Sequence, residues 1–424
     1  MGMPINVGIK NDDVMRRIVL MISLLLGSWM MMAQNLQRPV DTLKFAHFEA
    51  DTLVFDTETS LLVPFFHKFD SVVKTHNGHV SILHIGGSHV QAGTMSHRIR
   101  KNLLNAYPGL TSSRGFIFPY SAAKKCNNPA DYSVKKKGSF TLVRNVYKTL
   151  DKPLGVGGIA VYTSDSLAEI KIKMNDKSLE FLTDRITLFG FSDKGTVLPA
   201  IDIDSTEYLP ISIDTALRRF VFEVPTIRDS FLIRLVCDTI DTFTITGILL
   251  ENNLPGITFH SIGVNGASVP SYLKCDYFEP DLELIHPDLV IFGIGINDAS
   301  TNQFDTTVFQ NNYLQLIEEI KRVNPDCAFI FLTNNDSYKR VGRGKYVVNQ
   351  NGTTARKVFY NLAQLTNGAV WDQFYIMGGL RSMEKWRQAK LAQYDRVHFT
   401  VAGYNLIGDL FFNAFVHAKD KVCQ

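Results

Sequence analysis

Both ends of this chain repeat one pattern: a short apolar run stops at a glycine turn, and residues with helical spacing follow. Val80–Ile85 is such a run, ending at Gly86-Gly87-Ser88, after which Gln91 to Leu104 carry Met95, Ile99 and Leu103 on one helical face. Ile257–Ile262 lead into Gly263-Val264-Asn265-Gly266, and Leu289–Ile294 lead into Gly295-Ile296-Asn297-Asp298. Val308–Val323 then read as a helix, Ala328–Leu332 as a strand, Thr354–Leu365 as a helix, Ala369–Trp371 as a strand and Ala402–Val416 as a closing helix. Strands alternating with helices predict a parallel sheet covered on both faces.

Between Gly115 and about Asn253 the pattern changes to period two. Phe140–Val146, Gly158–Tyr162, Ala168–Met174, Arg185–Phe191, Phe220–Val224, Phe231–Cys237 and Thr242–Leu250 are short β-rich runs separated by turn residues such as Asn175-Asp176. Alternation is plain in Glu169-Ile170-Lys171-Ile172-Lys173-Met174. Many short strands with little helix between them predict an all-β sandwich, inserted into the α/β domain after its first strand–helix unit.

The first residues stand apart. Arg16-Arg17 precede an apolar run from Ile18 that extends to Met32, and the chain turns polar after Ala33-Gln34. A basic start, a short apolar stretch and a small residue before the break read as a secretory signal peptide over residues 1–34. The run is shorter than the ~20 residues a spanning helix needs, so no stable membrane span is expected after cleavage. The expected location is the periplasm or outer surface of a bacterium.

The apolar share of 45% and charged share of 20% over 424 residues belong to a globular chain with enough core for two domains. A net charge of +3, without a basic stripe interleaved with aromatics, argues against nucleic acid as a partner. Lys135-Lys136-Lys137 reads as a solvated loop or strand edge. The five cysteines show neither CxxC pairs nor zinc-type His spacing, so no metal and no cofactor is expected, and an odd count leaves at least one thiol free or paired between chains.

Candidate chemistry sits where strands end. In open α/β sheets, active residues lie beyond the carboxyl ends of strands, which selects Ser88, Gly266 and Asn297. A serine nucleophile needs a base to take its proton, and the base needs a carboxylate to orient it. Asp395-Arg396-Val397-His398 can supply both from one loop. An oxyanion site needs preorganised donors, and the amides of Ser88 and Gly266 with the side chain of Asn297 can provide them. His89 and Asp298, next to Ser88 and Asn297, are candidate substrate contacts. His84, within the first strand, reads as a core histidine.

The order Gly86-Gly87-Ser88, Gly266, Gly295-Ile296-Asn297-Asp298 and Asp395-Arg396-Val397-His398 resembles the SGNH (GDSL-like) hydrolase superfamily. The resemblance implies a three-layer α/β/α sandwich, discontinuous over residues 40–112 and 254–424, with residues 113–253 as the inserted β domain. It also implies Ser88 as nucleophile, Asp395 and His398 as its partners, and Ser88, Gly266 and Asn297 as the oxyanion hole. Gly87 departs from the family's usual Gly-Asp-Ser. The inserted β module, with Ser88-His89-Val90-Gln91 and Gly263-Val264-Asn265-Gly266-Ala267, is similar to exported peptidoglycan O-acetylesterases. That similarity implies an acylated polysaccharide as the partner and a carbohydrate-binding-like role for the insert. The alternatives are an esterase acting on another acylated glycan or a lipid, and a non-catalytic carbohydrate-binding protein with a degenerate hydrolase domain.

Overall fold

The computed structural model of the chain describes residues 43–110, 113–123, 126–236 and 241–424. The segment read as a signal peptide, and Cys237, lie outside the described residues. Six strands form the central sheet: β1 (Leu53–Val54), β2 (His79–Gly86), β3 (Gly256–Gly263), β4 (Leu289–Gly293), β5 (Ala328–Leu332) and β6 (Ala369–Trp371). Their spatial order is β1-β6-β5-β4-β2-β3. All neighbours are parallel except β1, which runs antiparallel to β6. The chain leaves β2 to form β3 on one side and then crosses to β4 on the other. This makes the carboxyl ends of β2 and β4 the point where the winding reverses, the usual place for a ligand in such sheets.

Burial on both faces explains why these strands read as continuous apolar runs rather than alternating ones. Leu83 and Ile85 of β2, Val290 and Phe292 of β4, and Phe329 and Phe331 of β5 pack into one core with the helices Phe278–Ile285, Thr306–Val323 and Asn351–Thr366. Val80, Ile82, Leu289, Ile291 and Ile330 point the other way, into a core shared with Leu62–Thr75, Thr94–Ala106 and Val401–Cys423. The result is three layers, α/β/α. The helix expected from Gln91 is in fact two, Ser88–Gln91 and Thr94–Ala106, broken where Gly93 adopts φ +74°. A Cβ built on Gly93 would come within 2.4 Å of Pro129 Cβ, so glycine here also lets the loop of the insert approach.

Two antiparallel sheets follow. One runs, edge to edge, through Thr206–Tyr208, Leu198–Ile203, Ser230–Val236, Leu167–Met174 and Tyr132–Lys137. The other joins Ser212–Asp214, Arg219–Ile227, Thr183–Ser192, Phe243–Glu251, Ile159–Thr163 and Thr141–Arg144, with Gly115–Ile117 paired to Phe243–Glu251. Ile170, Ile172, Ile201 and Ile233 of the first sheet and Ile186, Leu188 and Phe222 of the second share one core, which is the expected β insert. Lys135, Lys136 and Lys137 lie on an edge strand, where lysine discourages pairing with another chain.

A buried ionic group ties insert to sheet. Arg100, on the helix Thr94–Ala106, donates from Nε (3.1 Å) and Nη2 (2.8 Å) to the Phe259 carbonyl of β3. Asp131 of the insert accepts from Arg114 Nε at 2.5 Å and Arg100 Nη1 at 3.4 Å. Burial alone would raise the Asp131 carboxyl, but the two guanidiniums outweigh it and hold the group ionised. Among the described residues no helix is long and apolar enough to cross a membrane, and Cys126, Cys275, Cys327 and Cys423 are free thiols.

Candidate active site

Three glycines stand in register across the carboxyl ends of three strands: Gly86 of β2 pairs with Gly263 of β3 and with Gly293 of β4. A Cβ on Gly86 would lie 2.1 Å from Val90 Cγ2 and 2.9 Å from the Gly293 carbonyl oxygen. One on Gly263 would lie 2.4 Å from the Gln91 nitrogen, and one on Gly293 would lie 2.8 Å from His84 Nε2. This row of bare backbone seats the short helix Ser88–Gln91 directly on the strand ends, which sets Ser88 above the sheet. Tyr272 fixes the row from the side by donating its hydroxyl to the Gly86 carbonyl at 2.8 Å.

Ser88 Oγ lies 2.7 Å from His398 Nε2, and His398 Nδ1 lies 2.7 Å from Asp395 Oδ2. The other Asp395 oxygen accepts from the amides of Val397 (2.9 Å) and His398 (3.0 Å), so the acid organises the loop that carries its own histidine. Burial tends to raise the Asp395 carboxyl, but the His398 ring and these two amides together hold it down at about 2. Arg396, between acid and base, adopts φ +58°, and its Nε meets Glu384 Oε2 at 2.5 Å. The Arg396 carbonyl accepts from the Tyr338 amide at 3.1 Å, so the hairpin Tyr338–Gly342/Lys345–Val348 braces the loop.

The three expected oxyanion donors are held in different ways. Ser88 opens its helix, so its amide has no partner within it. Gly266, at φ +86°, presents open backbone: a Cβ there would meet only Val146 Cγ1, at 3.9 Å. Among the described residues neither the Ser88 nor the Gly266 amide donates to another group. Asn297 Nδ2 gives one N–H to the Ala267 carbonyl at 2.8 Å, which fixes the side chain and leaves its second N–H free. Nδ2 also lies 3.5 Å from where a Gly87 Cβ would stand, at the nucleophile turn. The arrangement can deprotonate a serine and hold a developing oxyanion.

His89 departs from the substrate contact expected of it. His89 Nδ1 lies 2.9 Å from the Tyr404 hydroxyl, and its Nε2 is buried without a partner. Both nitrogens are therefore unavailable to a substrate, and burial, with the nearby His398, pushes this ring down to about 3, so it is neutral. Both Asp298 oxygens take the Val269 amide, at 3.1 and 3.2 Å, and burial pushes this carboxyl up to about 6. Asp298 thus organises the start of the Val269–Tyr272 helix while lining the groove beside Asn297. Gln91, beyond the reach of sequence reasoning, accepts the Asn265 amide at 2.7 Å and so fixes the loop that carries Gly266. Its position three residues after Ser88 was visible, but the partner across the sheet was not. Among the described residues no group of three or more His, Cys, Asp or Glu side chains is placed to hold a metal.

Fold and site together define a class, the SGNH-type ester hydrolases, here with an extra β domain. Residues 245–406 match the model of the GDSL-like lipase/acylhydrolase family. The matched stretch carries Gly266, Asn297, Asp395 and His398 but not Ser88, which the insert separates from it in sequence. Among solved structures, a peptidoglycan O-acetylesterase is 20% identical with a TM-score of 0.69, covering 87% of this chain and 99% of that one, a likeness of fold. The acetyl xylan esterase AlAXEase is 18% identical, covering 37% of this chain and 79% of its own, with a TM-score of 0.29. A family two carbohydrate esterase from Cellvibrio japonicus is 10% identical, covering 68% and 99%, with a TM-score of 0.26. No curated protein matches the chain in sequence.

Proposed function

We propose that this protein is an exported serine esterase that removes O-acetyl groups from a polysaccharide, with peptidoglycan as the first candidate. The observation that carries the reading is the hydrogen-bonded chain Ser88–His398–Asp395 standing beside unpaired amides. The fold shared with a peptidoglycan O-acetylesterase supports the choice of substrate. Export rests on the sequence of residues 1–34 alone. The working division is a hydrolase domain over 40–112 and 254–424 around an insert, 113–253, that offers glycan-binding surface.

In the proposed reaction His398 Nε2 takes the Ser88 proton as Oγ attacks the ester carbonyl. The Ser88 and Gly266 amides and the free N–H of Asn297 receive the oxyanion. Protonated His398 then gives its proton to the departing sugar alkoxide, leaving acetyl-Ser88. Water, deprotonated by His398, attacks the acyl carbon; the bond to Ser88 Oγ breaks as His398 returns the proton to that oxygen, and acetate leaves. Asp395 stays ionised throughout and keeps His398 Nδ1 protonated. These steps draw only on side chains and amides of this chain.

The test is acetate release by the mature protein from p-nitrophenyl acetate and from O-acetylated peptidoglycan, with Ser88→Ala alongside. Ser88-dependent release from both supports the full reading, with a loss on the order of 10⁴-fold or more in the variant. Release from the aryl ester alone keeps the chemistry and removes peptidoglycan. Equal rates with Ser88→Ala would overturn the assignment.

A further inference from the structure

An open groove of about 490 Å³ leads away from Gly266 and Asn297, past the loop that follows Asp298, to the first turns of the helix Thr306–Val323. Its size lies in the range of small-ligand sites. We propose that this groove is the subsite for the sugar ring that carries the ester, and that it takes an uncharged pyranose bearing hydroxyl and amide groups. The inference rests on the acetyl-esterase reading: an acetyl group has one methyl to place, so the alcohol part of the substrate is what fills a space of this size.

The chemistry of the lining selects the ligand. Among the described residues that line the groove none is cationic, so it sets no counter-charge against a phosphate or carboxylate. Its two carboxylates are already engaged. Asp298 holds the Val269 amide, and Asp305 Oδ1 caps the helix by accepting from Thr307 (2.8 Å) and Val308 (3.0 Å). What remains is neutral. The side chains of Gln303 and Asn312 have no hydrogen-bond partner among the described residues, and both present amide donors and acceptors. Between them Val308, 54% exposed on a helix start, and the Phe304 ring supply an apolar strip. A pyranose has the matching duality, with C–H groups on its faces and hydroxyls on its edge. A long acyl chain does not, since amide and hydroxyl groups interrupt the apolar strip.

Two surface variants test this, Gln303→Ala/Asn312→Ala and Val308→Asp; an acidic residue in a first helical turn suits the helix dipole, so the second variant should fold. The trimer of N-acetylglucosamine is titrated into Ser88→Ala protein by calorimetry, with and without these changes. Turnover of an O-acetylated chito-oligosaccharide and of p-nitrophenyl acetate is measured in proteins that retain Ser88. The expected result is binding that each change weakens about tenfold, with kcat/KM on the glycan ester falling alike through KM. Aryl acetate turnover should stay within about twofold, because that substrate leaves the groove empty. Absent or unaltered trimer binding overturns the subsite, whatever the esterase assay shows. Aryl and glycan esters losing turnover in parallel overturn it too, by making the damage general. Lack of aryl ester turnover with Ser88 present instead strikes the esterase reading, and trimer binding then judges the groove by itself.

Discussion

The rings of His89 and His398 pack with their centroids 5.0 Å apart, tilted by 35°. The first ring is neutral, buried at Nε2 and held through Nδ1 by Tyr404, so what it presents to the second is a surface rather than a charge. His89→Phe should therefore keep most activity, with kcat within about threefold. His89→Ala should lower kcat about tenfold with KM little changed, because His398 loses its wall. The truncation should also cost on the order of 2–3 kcal/mol in stability. Steady-state kinetics on p-nitrophenyl acetate and urea unfolding check both. Equal losses in the two variants would mean that the nitrogens of His89 matter.

Adjacent glycines should respond in opposite ways. Gly86→Ala drives a methyl into Val90 and the Gly293 carbonyl and should cost about 1–3 kcal/mol or more while displacing Ser88. Gly87 has φ −98°, and a Cβ there would meet the Ala267 carbonyl at 3.4 Å and Asn297 Nδ2 at 3.5 Å, ordinary contact distances. Gly87→Asp, which supplies the residue usual in the family, should thus fold with stability within about 1 kcal/mol of the parent. Thermal melts of the two variants decide; a Gly87→Asp protein as damaged as Gly86→Ala would contradict the geometry.

The loop bearing Gly266 depends on a buried amide. Gln91→Ala frees the Asn265 nitrogen and should loosen the oxyanion side, lowering kcat about tenfold while KM holds. Gln91→Glu keeps the acceptor, so it should recover part of the loss. Failure of the conservative variant to recover activity would assign Gln91 to packing alone.

Two buried carboxyls should contribute stability that is lost as pH rises from about 4 to 7. Burial pushes the Asp281 carboxyl up to about 7, although it accepts the Val156 amide at 3.0 Å, and burial does the same for Asp51 despite its bond from Trp371. An unfolded aspartate titrates near ~3.9, so between there and about 7 the folded state binds more protons than the unfolded one. The stabilisation is complete below ~4 and is lost as pH passes through about 7. Asp395 has the opposite sign: its depressed carboxyl stabilises above ~4 and loses that only as pH falls towards about 2. Across this range the melting temperature of the parent should decline relative to that of Asp281→Asn, a difference that cancels the opposite contribution of buried neutral histidines such as His89. An unchanged slope in that variant would remove Asp281 as its source.

The strands, the glycine turns and the acid–base loop are legible in sequence because each is local: an apolar run, a Gly-Ser turn, an Asp three positions before a His. Ser88 and His398 meet across 310 positions, and nothing near either one specifies the partner; only the order of the blocks suggested it. The contacts of Gln91 with Asn265, Tyr404 with His89 and Glu384 with Arg396 carry no local signature, since polar side chains at such positions are as common on open surface. Leu62–Thr75 and the hairpin from Tyr338 escaped notice because neither is flanked by a turn and a catalytic-looking residue. Short edge strands such as Thr206–Tyr208 and Ser212–Asp214 are half polar and bury too little to show a period.

The first and last strands of the β insert, Gly115–Ile117 and Phe243–Glu251, pair with each other, Gly115 facing Leu250. Zipping entry and exit together brings the two attachment points on the crossover from β2 to β3 side by side, while the insert shares a continuous apolar core with its host. Such a joint leaves the nucleophile turn outside the inserted segment. The same joint offers a site for grafting a foreign binding domain onto the hydrolase, provided the newcomer supplies a carboxylate in place of Asp131 for Arg100.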